Sequence, residues 1–157
     1  MANRQLARLV ADLAAGTPAA AHRRNRKAAA ASAEALCALV VASPDGARRV
    51  AEALGALPAL LAGVVGGGDV GSIRAAALGT MTQADPGLAR RVAEAPGALL
   101  RLVSGAAAGG NVAGNCIWLL SLIAASGPDL ARHVAEAPGA LPALVVAVAA
   151  GGTAARN

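Results

Sequence analysis

The sequence that decides the fold is Arg91-Val92-Ala93-Glu94-Ala95, followed by Gly97-Ala98-Leu99. Both phrases return at a fixed spacing of 42 residues, the first at 49–53 and 133–137, the second at 55–57 and 139–141, with His133 replacing the first arginine. A period in the forties is typical of helical solenoids, whose repeats bury their apolar faces against their neighbours. The repeat therefore predicts an extended binding surface rather than a catalyst.

The composition also predicts an all-α fold. The chain is 56% apolar, but aromatic residues make up only 1% and Phe and Tyr are absent, so the excess consists of helix-forming Ala with Leu and Val. A length of 157 residues suits a single domain, 1–157. The two cysteines, Cys37 and Cys116, lie in apolar helical runs, which predicts buried reduced thiols rather than a disulfide or a metal site.

One repeat contains a short, a medium and a long helix. In the middle copy we expect helices over 88–95, 98–107 and 111–125, separated by Pro96-Gly97 and by Gly109-Gly110. This pattern divides the chain into a divergent N-terminal repeat (1–46), repeats at 47–88 and 89–130, and a partial repeat at 131–157. The prediction is a helical solenoid of about three to four such repeats.

The net charge of +5 comes from the N-terminal residues. Residues 1–33 carry six basic residues against Asp12 alone, whereas residues 34–157 carry eight basic and eight acidic residues. A neutral repeat body with one basic cluster is a poor surface for following phosphates, so we expect no specific nucleic acid partner.

The targeting signals are weak. Residues 102–128 contain no charge, but their glycines and asparagines divide them into two buried helices rather than a membrane span. The N-terminus lacks a secretory signal and faintly resembles an organellar transit peptide, although an ordinary amphipathic helix is favoured. We therefore expect a cytoplasmic or nuclear protein, with organellar targeting not excluded.

The repeats closely resemble those of the armadillo family. The resemblance lies in Gly-Ala-Leu-Pro-Ala-Leu at 55–60 and 139–144, preceded by Val-Ala-Glu-Ala, and in the third-helix segment 116–124, which contains Trp118. It covers 47–152 well and 1–46 loosely. It implies a right-handed armadillo-type superhelix, whose third helices line a concave groove that binds an extended peptide or partner segment.

The groove residues are projected from this resemblance. Trp118 stands where import adaptors of the family carry a groove Trp, but Leu122 replaces their Asn four residues later. We expect Trp118 and Asn115 to form the centre of the site, unless Trp118 fills a core void and Asn115 only satisfies nearby backbone. The predicted partner-binding residues are Asp69, Ile73, Thr80, Asn111, Asn115, Trp118 and Leu122, with Ala76 on the same line.

A basic run follows the first helix. When Leu6 is aligned with Leu99, Cys37 falls on Trp118 and about 12 extra residues separate the two helices. We expect this insert to form a basic loop with Arg23, Arg24, Arg26 and Lys27. It is interpreted as a localisation signal, a contact to an anionic surface, or a solvated loop.

The predicted function is a non-catalytic protein-interaction scaffold. Neither a catalytic nor a metal-binding constellation is present in the sequence, and no cofactor is expected. Recognition of basic peptides, as in nuclear-import adaptors, is one alternative. Another is the substrate-recognition region of a larger enzyme such as a ubiquitin ligase. Since both chain ends fall within a repeat, we also expect a piece of a longer array, a short family member, or end-to-end self-association.

Overall fold

The protein is all-α, as predicted. The computed structural model describes residues 2–15, 23–53, 55–65 and 68–146, and all regular structure in these ranges is helical. The helices are α1 (Ala2–Ala15), α2 (Arg23–Ala42), α3 (Pro44–Glu52), α4 (Ala56–Val64), α5 (Gly68–Ala84), α6 (Gly87–Glu94), α7 (Ala98–Ala107), α8 (Gly110–Ala125) and α9 (Pro128–Glu136). Residues 140–146 are also helical.

Glycines in the left-handed conformation separate the short and medium helices. The backbone φ angles of Gly55, Gly97 and Gly139 are +82°, +69° and +79°, a region that side chains with a Cβ rarely adopt. These three glycines lie 42 residues apart, so the repeat in sequence is also a repeat in backbone conformation. The helices predicted for the middle copy correspond to α6, α7 and α8.

Helices in equivalent positions of successive repeats pack against each other. The first helices of the repeats are α3, α6 and α9, the second are α1, α4 and α7, and the third are α2, α5 and α8. Helix α4 contacts both α1 and α7, helix α5 contacts both α2 and α8, and α6 contacts α9. The packing of α8 on α5 is the most extensive of these contacts.

Burial corrects the predicted register of the N-terminal repeat. Counting 42 residues forward from the buried Leu36 and Val40 gives the buried Leu78 and Thr82. Aligning Cys37 with Trp118 would instead place Leu39, which is 44% exposed, on the fully buried Leu120. Glu34 therefore occupies the Trp118 position, and the extra length is nine residues rather than 12. Runs of Ala and Leu look alike in several registers, and only packing against α5 distinguishes them.

The prediction of a basic loop is wrong for the residues that the structure describes. Helix α2 begins at Arg23, so the backbone of Arg23, Arg24, Arg26 and Lys27 forms its first turns. The alanine-rich stretch that follows has high helix propensity and extends the third helix toward its N-terminus. The preceding residues 16–22 lie outside the described ranges, as do residues 147–157 of the predicted partial repeat.

Each first helix carries an arginine four residues before a glutamate, and only one of these three pairs forms a salt bridge. Arg90 Nη1 lies 3.4 Å from Glu94 Oε1, and this is the one salt bridge among the described side chains. The equivalent pairs at Arg48 and Arg132 are not formed there, since exposed pairs gain little over solvation. The neighbouring Arg91 instead donates from Nη2 to the backbone oxygen of Ala51, 3.1 Å away, and so links α6 to α3.

One position of the repeat carries an arginine inside the core. Ser32, Arg74 and Cys116 lie 42 residues apart, and all three are buried. Cys116 Sγ lies 2.6 Å from the place that a Cβ of Gly105 would occupy, and the Arg74 guanidinium would likewise overlap a Cβ on Gly63. Glycine on the second helix thus makes room for the third-helix side chain in both repeats.

Arg74 is poorly accommodated for a charged group. It is only 2% exposed, and its Nε has no hydrogen-bond partner among the described atoms. Burial lowers the pKa of its guanidinium, because removing the charge from water is unfavourable.

We expect Arg74→Met to stabilise the protein by about 1–3 kcal/mol, because it removes a buried polar group that lacks a partner and keeps most of the side-chain volume. Arg101→Met is the matched control on an exposed arginine and should change stability by less than about 0.5 kcal/mol. Chemical denaturation of both variants measures the difference. Destabilisation by Arg74→Met would show that the guanidinium is satisfied in the core.

The pH dependence of stability should report on Cys116. Burial raises the pKa of this thiol to about 11, from an ordinary value of 9.0 in the unfolded chain. The unfolded state therefore loses its proton first, and the free energy of unfolding should be constant below pH 9 and fall from pH 9 to about 11.

Cys116→Ala should remove most of this alkaline decrease, whatever its effect on stability at neutral pH. The chain has no tyrosine and only Lys27 as a lysine, so few other groups titrate in this range. Cys37→Ala is the control, because burial also raises the pKa of the half-buried Cys37 thiol but Cys116 remains. Urea unfolding at several pH values would refute the assignment if Cys116→Ala kept as much of the decrease as Cys37→Ala.

Candidate functional site

The candidate binding face lies on the adjacent third helices α5 and α8. We use this term for the eight residues that the sequence projects onto one line. Asp69 and Asn111 are exposed, and the others are half-buried, so none belongs to the closed core. The complete set is Asp69, Ile73, Ala76 and Thr80 on α5, with Asn111, Asn115, Trp118 and Leu122 on α8.

The periodicity of α8 explains how the face arises. The buried residues Val112, Cys116, Leu119, Leu120 and Ile123 form one stripe along the helix. Residues 111, 115, 118 and 122 lie at helical spacing on one flank of this stripe. Ile117 is half-buried on the opposite flank.

Trp118 spans the contact between the two third helices. A Cβ on Gly79 would overlap its indole ring, so the ring lies directly over the α5 backbone at that residue. The side chain nevertheless remains partly accessible to solvent. Trp118 therefore fills the space above Gly79 with part of its ring, and the side chain is also partly accessible to solvent.

Asn115 is engaged within the protein. Its Nδ2 donates to the backbone oxygen of Ser72 at 3.0 Å and to Ser72 Oγ at 2.9 Å, so it links α8 to α5. This is the second of the two roles expected for Asn115, satisfaction of nearby polar groups. Its amide nitrogen is not free to bind a peptide unless these bonds break.

The other polar groups of the face are partly satisfied by their own helices. Thr80 Oγ1 donates to the Ala76 oxygen at 3.0 Å. Asp69 lies in the first turn of α5, where its carboxylate is favoured by the helix dipole. The face therefore presents aliphatic groups, an indole and the Asn111 amide, with Asp69 as its single charged residue.

Two residues of this site were missed from the sequence. Gly79 provides the space under Trp118, and Ser72 accepts the bonds from Asn115. Gly79 and Ser72 lie 39 and 43 residues before their partners, which is within one helical turn of the 42-residue period. That spacing could have revealed both residues once α5 and α8 were known to lie side by side.

The basic residues Arg23, Arg24, Arg26 and Lys27 lie apart in sequence from this face, at the start of α2. Their helix packs beside α5, but their side chains are not among those described.

Comparisons with known proteins yield no relative: no family model, curated protein or solved structure matches the chain. The described helices include none that is both long and apolar enough to cross a bilayer. In the same ranges, no three His, Cys, Asp or Glu side chains are grouped as a metal site would require.

Gly79→Ala should move the indole of Trp118, because the added methyl would occupy the same space as the ring. We expect a loss of about 1–3 kcal/mol in stability and a red shift of the fluorescence, which reports on this site alone because Trp118 is the only tryptophan.

Gly114→Ala provides the matched control on α8. A Cβ there meets nothing within 4 Å, so the emission should not change and the helix should gain up to about 1 kcal/mol. Identical spectra for wild type and Gly79→Ala would contradict the close contact between the Trp118 indole and Gly79.

Proposed function

We propose that the protein is an armadillo-type, non-catalytic scaffold that binds an extended segment of a partner protein along the candidate binding face. The observation that carries this proposal is the side-by-side packing of α5 and α8, with an accessible indole, aliphatic groups and an amide on one line. The 42-residue period and the contacts between equivalent helices support a solenoid arrangement.

The chemistry of the face favours a segment with apolar side chains. Trp118, Leu122 and Ile73 offer partly accessible hydrophobic area, and Trp is enriched among the residues that contribute most to binding energy at interfaces. Neighbouring packed helices lie about 8–10 Å apart, which about three residues of an extended chain span. Such a segment can reach α5 and α8 together.

A polybasic segment is less well served by this face. Asp69 is its one charged residue, and Trp118 is its one aromatic residue. Because Asn115 is bonded to Ser72, the amide on the exposed end of the face is that of Asn111. These features support recognition of an apolar segment over recognition of a basic peptide.

The proposal is tested by selecting binders from a random peptide library displayed on phage, with wild-type protein as the target. The affinity of the selected peptides is then measured against Leu122→Glu and Asn111→Glu. Both substitutions add a charge to an accessible position of the face, and each should weaken binding by roughly tenfold or more.

Leu100→Glu is the matched control, because Leu100 is 55% exposed on α7, outside the face. Circular dichroism should show equal helicity for all variants. If the selected peptides bind Leu122→Glu and Asn111→Glu as tightly as wild type, then binding does not use this face and the proposal fails.

A further inference from the structure

The line of the candidate binding face continues onto α2, the third helix of the first repeat. Helix α5 packs against α2 and against α8, so the three third helices form a row with α5 in the middle. In the 42-residue register, Glu34 on α2 is the equivalent of Ala76 on α5 and of Trp118 on α8. The same position along the row is therefore a carboxylate, then a methyl group, then an indole.

Glu34 is exposed, and its position is open along the side of the row rather than at its end. The equivalents Ala76 and Trp118 lie on helices that each have a preceding third helix packed against them. Both nevertheless remain partly accessible to solvent. A further helix packed on α2 in the same way would therefore still leave the Glu34 position accessible to a partner.

The carboxylate of Glu34 has no cation beside it on its own helix. The residues three and four positions away, where an ion pair along a helix would form, are Ala30, Ala31, Cys37 and Ala38. Among the described side chains, Glu34 takes part in no salt bridge.

The accessible charges of the row have one sign. Glu34 and Asp69 are the exposed charged side chains that the structure describes on α2, α5 and α8, and both are acidic. Helix α8 carries no charged residue at all. The row is therefore acidic on α2 and α5 and uncharged on α8, where Trp118 and Leu122 lie.

We propose that the partner segment carries a basic residue that pairs with Glu34 and an apolar residue that packs on Trp118. The inference rests on the proposed function and specifies the chemistry of the partner. Charge complementarity calls for the basic residue, because an exposed carboxylate without a cation attracts a positive group. Leu122 lies one helical turn from Trp118, so an apolar residue is the better match on α8.

The geometry of the row sets the distance between the two anchor residues of the segment. Neighbouring packed helices lie about 8–10 Å apart, so α2 and α8 are separated by two such steps, about 16–20 Å. An extended chain covers this distance in about five or six residues. Because alternate side chains of an extended chain point to the same side, a separation of about six residues turns both anchors toward the protein. One basic residue satisfies Glu34, so the segment needs no polybasic run.

Peptides selected on wild-type protein from the random phage library are the probe for this inference. Their shared sequence should contain a Lys or Arg about six residues from an apolar residue. Glu34→Lys should weaken their binding by roughly fivefold or more, because it replaces attraction with repulsion. A peptide in which the basic residue is changed to Glu should bind Glu34→Lys more tightly than it binds wild type.

Glu52→Lys is the matched control, because it makes the same change of charge at an exposed residue of α3, outside the row. At physiological salt it should leave the affinity within about twofold of wild type, since distant exposed charges are screened. Circular dichroism should show equal helicity for Glu34→Lys, Glu52→Lys and wild type.

Alkylation of Cys37 supplies a readout that does not depend on charge. Cys37 is the equivalent of Gly79, so it lies between the Glu34 and Ala76 positions of the row. The Cys37 thiol is half-buried whereas Cys116 is fully buried, and a maleimide should therefore modify Cys37 alone in the folded protein. A bound peptide that reaches α2 should slow this modification by roughly threefold or more, because it covers the thiol.

The outcomes separate this inference from the proposed function. Peptides that bind Leu122→Glu weakly but bind Glu34→Lys and Glu52→Lys equally well would overturn the inference and leave the proposed function standing. A shared sequence without a basic residue, or an unchanged rate of Cys37 alkylation in the bound state, would also overturn the inference. Peptides that bind Leu122→Glu and Asn111→Glu as tightly as wild type would overturn both.

Discussion

The close approach of α8 to α5 is the contact on which the rest of the structure depends. It is the most extensive helix pair, and small residues on α5 make it possible. Gly79 leaves room for the indole of Trp118, Gly71 lies beside Val112, and Asn115 bonds to Ser72. In a chain without Phe or Tyr, small aliphatic side chains fill a core only if the helix axes are close. The same contact sets the spacing of the candidate binding face and defines the surface that α8 presents on its other side.

The repeat tolerates different chemistry at equivalent positions. Ser32, Arg74 and Cys116 occupy the same buried position, and glycine faces the latter two from the second helix. A cysteine there packs as a small apolar group, whereas an arginine must lose its hydration. The backbone frame is therefore kept by the glycines and by the stacking of equivalent helices, and individual side chains vary within it. This variation has an unfavourable result at Arg74, whose Nε is buried without a hydrogen-bond partner among the described atoms.

The sequence predicts the helices of the described repeats well, because periodic Leu and Val residues and the left-handed glycines fix their type and limits. It predicts the N-terminal register poorly, since the run around Leu36 and Leu39 consists of interchangeable Ala, Leu and Val residues. The register is set by which α2 residues are buried against neighbouring helices such as α5, and no local sequence pattern predicts these contacts. For the candidate binding face too, the sequence predicts one part: helical spacing indicates that residues 111, 115, 118 and 122 share one flank of α8. The bond from Asn115 to Ser72 and the seat of Trp118 on Gly79 depend on how two helices meet.

The register of α8 on α5 is most directly tested by a double-mutant cycle with Asn115→Ala and Ser72→Ala. The structure joins these side chains by a bond of 2.9 Å from Nδ2 to Oγ. We expect a coupling free energy on the order of 1 kcal/mol in chemical denaturation. The parallel cycle of Asn111→Ala with Ser72→Ala should give coupling near zero. Additive effects of Asn115→Ala and Ser72→Ala would contradict this register, and with it the alignment of the third helices that forms the candidate binding face.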